Sequence, residues 1–504
     1  MSDSLNLIWF KRDLRWQDHA PLKAAIENGK PLLGLFIFED FYPQDPSWSL
    51  RHWQAQFQSL VDMKRGEKKT FENILVLQGE AQEIFRHLSQ TTSIQTVYSY
   101  QETGGNQSYD RDKALTELFN KAGIPWLEFE NNAVQRGLKN RRLWDENWQN
   151  HMSQPLDEVD TESWVSPTKQ ILIEIKQKFG ISPTLQNELK VWPSQFQKVG
   201  ESLGQERLEQ YLQQRLYKSY GAKIGQPHES RFSCSRLSPF LAWGNLSLRQ
   251  VFQAAVSELE CSPHPRDLRA FISRLHWHSH FVQKFEMEER MEFENLNPAF
   301  NSLHKKQEPH LFLAWKNGQT GYPLVDACIR AVCETGYLNF RMRAMVVSFL
   351  CHHLWQDWQE GARFMAKQFL DYIPGIHYPQ FQMQNGCTGI NTIRIYNPIK
   401  QSLEKDVEAK FIDAWVPELK NLPLAFKHQP WLITPMEEAL YDFHYGQDYP
   451  KQIIDIALTG TKARDILWAL RKTEAVKSQN QSILQKHTTA NRDPKQRSKK
   501  IIRN

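Results

Sequence analysis

The sequence Leu5-Asn6-Leu7-Ile8-Trp9-Phe10 is a short, nearly continuous apolar run close to the start of the 504-residue chain. Four more such runs occur before residue 130, and polar stretches compatible with helices separate them. They lie at residues 31–38, 74–77, 95–98 and 126–129. Apolar runs that alternate with helical patterns are typical of parallel strands covered on both faces. Residues 1–132 are therefore predicted to form an α/β domain with a parallel sheet.

The rest of the chain changes character three times. Residues 133–200 are polar and carry prolines at intervals, which predicts a connector that contains some helix. Residues 201–471 show helical periodicity and are predicted to form an all-α domain. Inside that domain, residues 337–358 are apolar on nearly every face, which is typical of a fully buried helix. Residues 472–504 are basic and rich in Gln, Lys, Ser and Asn, so we expect a disordered tail.

The charge of the chain is concentrated at one end. The formal net charge is +5, but residues 486–504 alone carry +6, which leaves −1 for all the others. The body is therefore not a uniformly basic nucleic-acid-binding surface, and any anion site in it must be local. No long apolar run predicts a membrane segment, and the first residues do not resemble a secretion signal. We expect a cytoplasmic monomer.

Cysteine and histidine patterns give little support for a metal site. The six cysteines are scattered without a CxxC pair, which argues against a disulfide scaffold and a structural zinc module. His276 and His280 are four residues apart and would share a helix face, but no carboxylate is obviously placed to complete a metal site. We expect no metal, and we expect these histidines to line a polar pocket.

Three groups of residues could carry chemistry. Arg341 and Arg343 lie in the apolar helical stretch and need an anionic partner, which could be Asp371, a phosphate or an electron-rich ring. Ser235 and Ser238 precede a helical pattern, where hydroxyls either bind phosphate or simply cap the helix. Aromatic residues at Trp355, Trp358 and Phe364 occur beside Phe381 and Met383. They could belong to the hydrophobic core, hold a planar ligand or relay an electron.

Taken together, these segments resemble the cryptochrome/photolyase family over nearly the whole chain. Six motifs appear in the family's order, and the fourth combines two short segments. They are residues 7–15 (LIWFKRDLR), 235–241 (SRLSPFL), 318–327 (GQTGYPLVDA), Arg341-x-Arg343 with Asp357-Trp358, 394–398 (RIYNP) and 415–419 (WVPEL). The resemblance implies an N-terminal α/β antenna domain and an all-helical C-terminal domain that holds FAD. It also implies blue-light-driven electron transfer from reduced flavin to a pyrimidine dimer flipped out of UV-damaged DNA.

The resemblance assigns roles to individual positions. The residues that would bind FAD are Tyr220, Cys234, Ser235, Leu237, Ser238, Phe271, His278, Tyr337, Phe340, Arg343, Asp371 and His377. Those that would contact DNA are Arg274, Trp277, Arg341 and Arg394. Those with catalytic roles would be Trp277, His377 and Trp358. Arg343 and Asp371 match an arginine–aspartate pair beside the flavin ring, and Trp277 matches the aromatic residue that stacks on the lesion.

The chain also departs from the family pattern. The glutamate that usually hydrogen-bonds the damaged bases is Arg274 here, and an expected asparagine falls on Phe340. His377 replaces the residue that usually faces flavin N5. Phe381 replaces the first tryptophan of the electron chain, and phenylalanine is much harder to oxidise. No cysteine follows Cys387, so the iron–sulfur branch of the family is not indicated.

These motifs and departures are compatible with three functions. Trp277 and the two arginines favour a light-driven DNA photolyase, a carbon–carbon lyase with altered lesion recognition. The altered dimer pocket and the basic tail fit a cryptochrome-type photoreceptor that signals through a protein partner. A DNA-binding protein without photochemistry would leave the flavin motifs unexplained. The lesion class stays open, as does the antenna: a folate or deazaflavin would bind near the domain boundary, or nothing would.

Overall fold

The computed structural model describes residues 4–489, except 304 and 306. Its N-terminal part is a five-stranded parallel sheet in the order β3-β2-β1-β4-β5. The strands are β1 Ser4–Phe10, β2 Leu32–Phe38, β3 Ile74–Gln78, β4 Ser93–Tyr100 and β5 Trp126–Phe129. All five predicted strands are present, and the predicted α/β class is confirmed.

Helices cover both faces of this sheet, and the segment that follows it is also helical. The helices before residue 200 are α1 Ala20–Glu27, α2 Leu50–Gly66, α3 Lys68–Phe71, α4 Ala81–Thr91, α5 Asn106–Ala122, α6 Trp144–Ser153, α7 Lys169–Phe179 and α8 Pro183–Lys190. In the predicted connector, α7 packs along β3, α8 packs on α2, and α6 packs on a helix of the C-terminal part. The segment is therefore built into both parts of the molecule.

The C-terminal part is helical in the residues that the structure describes, as predicted. Its helices are α9 Glu201–Gln213, α10 Tyr220–Lys223, α11 Ser230–Ser233, α12 Ser238–Ala242, α13 Leu248–Cys261, α14 Pro265–Glu286, α15 Pro309–Lys316, α16 Pro323–Thr335, α17 Phe340–Ser348, α18 Trp358–Gln368, α19 Pro374–Asn385, α20 Pro398–Lys405, α21 Lys410–Trp415, α22 Leu424–His428, α23 Pro435–Tyr441, α24 Ile456–Arg471 and α25 Glu474–His487.

Two predictions about this helical part need correction. The stretch 337–358 is not one fully buried helix: α17 begins at Phe340, whose side chain is 39% exposed, and continues into a π-helical turn at Phe349–His353. The disorder expected from residue 472 was also wrong for α25. Val476 and Ile483 of that helix are buried, since its apolar side chains find a surface that sequence composition does not reveal. Residues 490–504 lie outside the described residues.

The two parts of the molecule share a core. Trp243 packs against Trp48 of the α/β part, and the Arg12 guanidinium lies 5.0 Å from the centre of the Trp243 ring. The Glu201 carboxylate accepts hydrogen bonds from the backbone N–H groups of Trp16 and Gln17. These contacts hold the segment that follows the central strand β1 against the helices. No helix in the described part of the chain is long and apolar enough to cross a membrane.

Candidate functional site

A cavity of about 490 Å³ lies among α17, α18 and α19. Its wall is mostly apolar, with one ion pair and a few polar side chains. The lining residues are Phe340, Arg343, Ala344, Val347, Met365, Phe369, Asp371, Tyr372, Ile373, Ile376, His377, Gln380, Phe381 and Gln384. Five residues predicted or discussed from the sequence thus meet in one place: Phe340, Arg343, Asp371, His377 and Phe381.

The ion pair of this cavity joins Arg343 and Asp371. Arg343 Nη2 donates to both carboxylate oxygens of Asp371, at 2.9 and 2.7 Å, and its Nε donates to the Leu338 carbonyl at 2.7 Å. The guanidinium also lies 3.8 Å from the centre of the Phe369 ring. Of the partners considered for Arg343, the structure therefore supplies the internal carboxylate. Because a guanidinium held by three hydrogen bonds is fixed in orientation, it presents a defined positive edge to the cavity.

His377 lines the same cavity as a neutral side chain. Its Nε2 donates to the Ala362 carbonyl at 2.8 Å, and burial lowers the pKa of His377 to about 4. The Phe381 ring lies 5.1 Å from it. Trp358 is buried but is not among the lining residues, and its Nε1 donates to Asn295 at 3.0 Å. The catalytic roles assigned to His377 and Trp358 stay predictions.

The loop between α11 and α12 carries the predicted phosphate-binding residues. Cys234, Ser235 and Leu237 lie in the loop, and Ser238 begins α12. Arg207 donates to the carbonyls of Cys234 and Ser235, at 3.0 and 2.8 Å. Burial raises the pKa of the Cys234 thiol to about 11, so the thiol is neutral. The contacts of Cys234, Ser235, Leu237 and Ser238 with a phosphate stay predictions.

Three arginines surround this loop without an ion-pair partner among the described carboxylates: Arg207, Arg231 and Arg236. The Arg236 guanidinium lies 3.4 Å from the centre of the Tyr337 ring, and the Arg231 guanidinium lies 5.5 Å from it. Burial and the nearby Arg236 lower the pKa of Arg231 to about 10. Three clustered, half-buried cations call for an anion, and a diphosphate fits this site. The sequence motif contained Arg236, but only the fold brings Arg207 and Arg231 to it.

Helices α10 and α14 carry five more of the predicted residues: Tyr220, Phe271, Arg274, Trp277 and His278. Tyr220 lies 6.1 Å from Phe271, ring centre to ring centre, and interacts with Arg274. Trp277 is half-buried and lies 4.9 Å from His280.

His278 stands out on α14 because both ring nitrogens are buried without a hydrogen-bond partner among the described residues. Burial lowers its pKa to about 4, so the ring is neutral. Two unused polar atoms of this kind indicate room for a ligand that the protein atoms alone do not supply.

The structure places the predicted DNA-contacting arginines at the surface. Arg341 is half-buried two residues before Arg343, and it reaches Gln401 at 3.5 Å. Arg394 is exposed, and so is Arg274. His276 hydrogen-bonds Asp145 at 3.0 Å, and no group of three potential metal ligands occurs among the described residues.

A second cavity, of about 590 Å³, lies where the α/β part meets the helices. It sits beyond the carboxyl ends of β1 and β4, the point at which the strand order reverses and where open parallel sheets bind ligands. Its lining residues are Lys11, Arg12, Asp13, Tyr100, Gln101, Glu102, Thr103, Asn131, Asn132, Val134, Leu241, Ala242, His278, Val282 and Ile373. Ile373 lines both cavities, which therefore lie side by side.

Charged groups dominate this cleft. Lys11 is buried, and its Nζ has no hydrogen-bond partner among the residues that the structure describes but lies 4.6 Å from the centre of the Trp9 ring. Glu102 accepts a hydrogen bond from Arg111 at 2.7 Å, and Arg111 also pairs with Glu39 at 2.6 Å. Burial raises the pKa of Glu39 to about 7. No sequence motif predicted this cluster.

Known proteins resemble the chain over most of its length. The chain is 26% identical over 479 residues to a deoxyribodipyrimidine photo-lyase of Alkalihalophilus pseudofirmus, covering 92% of this chain and 97% of that one. It is 26% identical over 480 residues to a cryptochrome DASH of Gloeobacter violaceus, covering 90% and 94%. The crystal structure of a photolyase from Sulfolobus tokodaii with two FAD molecules shares the fold, with a TM-score of 0.75, 22% identity and coverage of 92% and 99%.

Two family models match as well. "DNA photolyase" covers residues 6–136, and "FAD binding domain of DNA photolyase" covers residues 271–469. The second range includes every residue that lines the first cavity. The ion pair and the arginine cluster both fit a flavin with a diphosphate. The chain is a FAD-binding member of the cryptochrome/photolyase family.

Proposed function

We propose that this protein is a blue-light-driven DNA photolyase that splits UV-induced pyrimidine dimers. The observation that carries the proposal is the apolar cavity of Arg343 and Asp371, which reaches the surface at Phe340 beside the cationic side chain of Arg341. A dimer must leave the DNA stack to approach a buried cofactor, and a cavity open toward a cationic surface accommodates such a base.

Individual residues have defined tasks in this proposal. Bound reduced FAD supplies a photoexcited electron to the dimer. Arg343, held by Asp371, orients the flavin ring, while Arg207, Arg231 and Arg236 neutralise its diphosphate. His377 stays neutral and keeps its Nε2 proton on the Ala362 carbonyl. The apolar wall excludes water from the reacting groups.

Contacts with DNA involve a different set of residues. Arg341 and Arg394 contact the phosphate backbone, and the half-buried Trp277 stacks on the extruded base. Such contacts make binding salt-dependent.

A second function is favoured by one observation. Arg274 stands where the family's lesion-binding glutamate is expected, and it is exposed and associated with Tyr220. A protein that has lost dimer recognition could act as a cryptochrome-type photoreceptor that signals through a partner.

One experiment separates the two. The purified protein, with FAD checked by absorbance, is illuminated with oligonucleotides that carry a cyclobutane dimer or a (6-4) product. Repair of either lesion supports a photolyase. A flavin that cycles while both lesions persist supports the photoreceptor.

The second cavity fits a second light-absorbing cofactor. Its charged and polar groups, among them Lys11 and Arg12, suit a folate or a deazaflavin, which both carry polar groups. Its place beside the first cavity suits transfer of excitation energy. Extraction of the purified protein and identification of its chromophores tests this assignment: FAD alone would contradict it.

A further inference from the structure

Helix α19 presents one continuous face to the first cavity. His377, Gln380, Phe381 and Gln384 recur every three or four residues and all line it. His377 and Phe381 are accounted for by the flavin pocket. The two glutamines are not, because neither motif nor resemblance assigned them a role.

The side chains of these glutamines have no hydrogen-bond partner among the described residues. Gln384 is only 5% exposed and Gln380 is half-buried, and both side chains line the cavity. Gln382, between them in sequence and on the opposite face, is satisfied: it donates to the Met291 and Glu294 carbonyls and accepts from the Leu296 N–H. Gln382 thus forms hydrogen bonds within the protein, whereas the amides of Gln380 and Gln384 face the cavity. An amide on a cavity wall without a protein partner is available to hydrogen-bond a ligand in that cavity.

The chemistry of a carboxamide identifies that ligand. An amide offers an N–H donor beside a C=O acceptor, the complement of a cyclic imide, in which a C=O lies beside an N–H. Thymine and uracil carry this imide edge. Gln380 and Gln384 are about 6 Å apart along the helix axis, so they address two neighbouring rings.

We propose that Gln380 and Gln384 each hydrogen-bond one imide of an extruded pyrimidine dimer, in place of the carboxylate that Arg274 replaces. The inference rests on the proposed repair function and narrows it. A cyclobutane dimer retains both imides, whereas a (6-4) product retains one. The cavity is therefore selective for the cyclobutane dimer.

Binding in the dark tests the proposal, with the FAD-loaded protein and fluorescent oligonucleotides. The probes carry a thymine cyclobutane dimer, the same dimer methylated at both N3 atoms, a (6-4) product or no lesion. We expect N3-methylation to weaken binding to the wild type by about tenfold or more, because it removes the imide N–H. We expect weaker binding of the (6-4) product than of the unmethylated cyclobutane dimer.

Variants locate the effect. Gln384→Leu and Gln380→Leu are expected to bind the unmethylated dimer about tenfold less tightly and to lose sensitivity to methylation. Gln368→Leu, a half-buried glutamine outside the cavity, is the matched control and should behave as the wild type.

Each alternative outcome has a separate meaning. A wild type that binds both dimers equally well, but better than undamaged DNA, overturns the inference and leaves repair standing. A wild type that does not distinguish dimer from undamaged DNA contradicts the proposed function itself. The flavin ring also carries an imide, so FAD occupancy is measured in every variant. Loss of FAD from the glutamine variants would assign the amides to the cofactor and overturn the inference.

Discussion

The two cavities of this protein differ in the number and pairing of the charged side chains that line them. In the first, the only ion pair among the described residues joins Arg343 and Asp371, and the remaining wall is mostly apolar. In the second, Lys11, Arg12, Asp13 and Glu102 meet at the carboxyl end of the sheet, and the Lys11 ammonium has no hydrogen-bond partner in the described part of the chain. An apolar cavity with one internal ion pair suits a flat ring and an extruded base. A cavity lined by several charged side chains suits a polar ligand.

The largest expected effect is on the first cavity. Arg343→Ala removes the cation that holds Asp371 and leaves that carboxylate, whose side chain is 7% exposed, without its partner. We expect loss of FAD from the purified protein, measured by absorbance, because an unpaired buried charge is strongly unfavourable. Arg341→Ala, two residues away on the same helix, should keep its flavin. Full occupancy in Arg343→Ala would remove the role given to the ion pair.

The second cavity should respond independently. Lys11→Met is nearly isosteric but lacks the buried ammonium, so we expect loss of the second chromophore while FAD stays bound. Lys113→Met, on the exposed face of α5, is the control. The measurement is the ratio of the two chromophores after extraction. If Lys11→Met releases both cofactors together, the cavities are not separate sites.

A smaller effect is expected on the route by which electrons reach the first cavity. Phe381 lines the cavity and Trp358 does not, so the oxidisable ring of Trp358 lies farther from the cavity than the Phe381 ring. We expect Phe381→Trp to photoreduce its flavin several-fold faster under blue light with a thiol as the final reductant. An unchanged rate would mean that electrons already arrive by another path, for which the cavity residue Tyr372 is a candidate.

The smallest expected effect concerns His377 and pH. Burial lowers the pKa of His377 from 6.5 to about 4, so between these values the unfolded chain binds a proton that the folded chain does not. The free energy of unfolding should therefore fall as pH falls through this window. Compared with His377→Gln, the wild type should lose about 1.4 kcal/mol more per pH unit in denaturant titrations. Parallel pH profiles would show that His377 is protonated in the folded protein.

Sequence reasoning predicted some features of these cavities and not others. The strands were readable because a doubly covered sheet needs continuous apolar runs, and Arg343 was noticeable as a cation in an apolar helix. The resemblance then pointed to Asp371. Arg207, Arg231, Gln380 and Gln384 gave no comparable signal. Each is an ordinary surface residue type, and only the fold brings it to the arginine cluster or to the wall of the first cavity.

The end of the chain shows the same limit. The polar composition after residue 472 predicted disorder, but α25 docks through Val476 and Ile483, and Lys486 pairs with Glu288 at 2.9 Å. Two buried apolar residues in fourteen are too few to detect in composition. They are enough to hold α25 in place when the rest of the helical part offers an apolar surface that covers them.

Light-dependent loss of a cyclobutane dimer tests the central claim most directly. The FAD-loaded, reduced protein is mixed with a dimer-containing oligonucleotide and kept in the dark or exposed to blue light, and the products are separated by chromatography. We predict that intact thymines appear only in the illuminated sample and that Trp277→Ala forms them more slowly. Persistence of the dimer in the illuminated wild type, with the flavin still bound and reduced, would contradict the account.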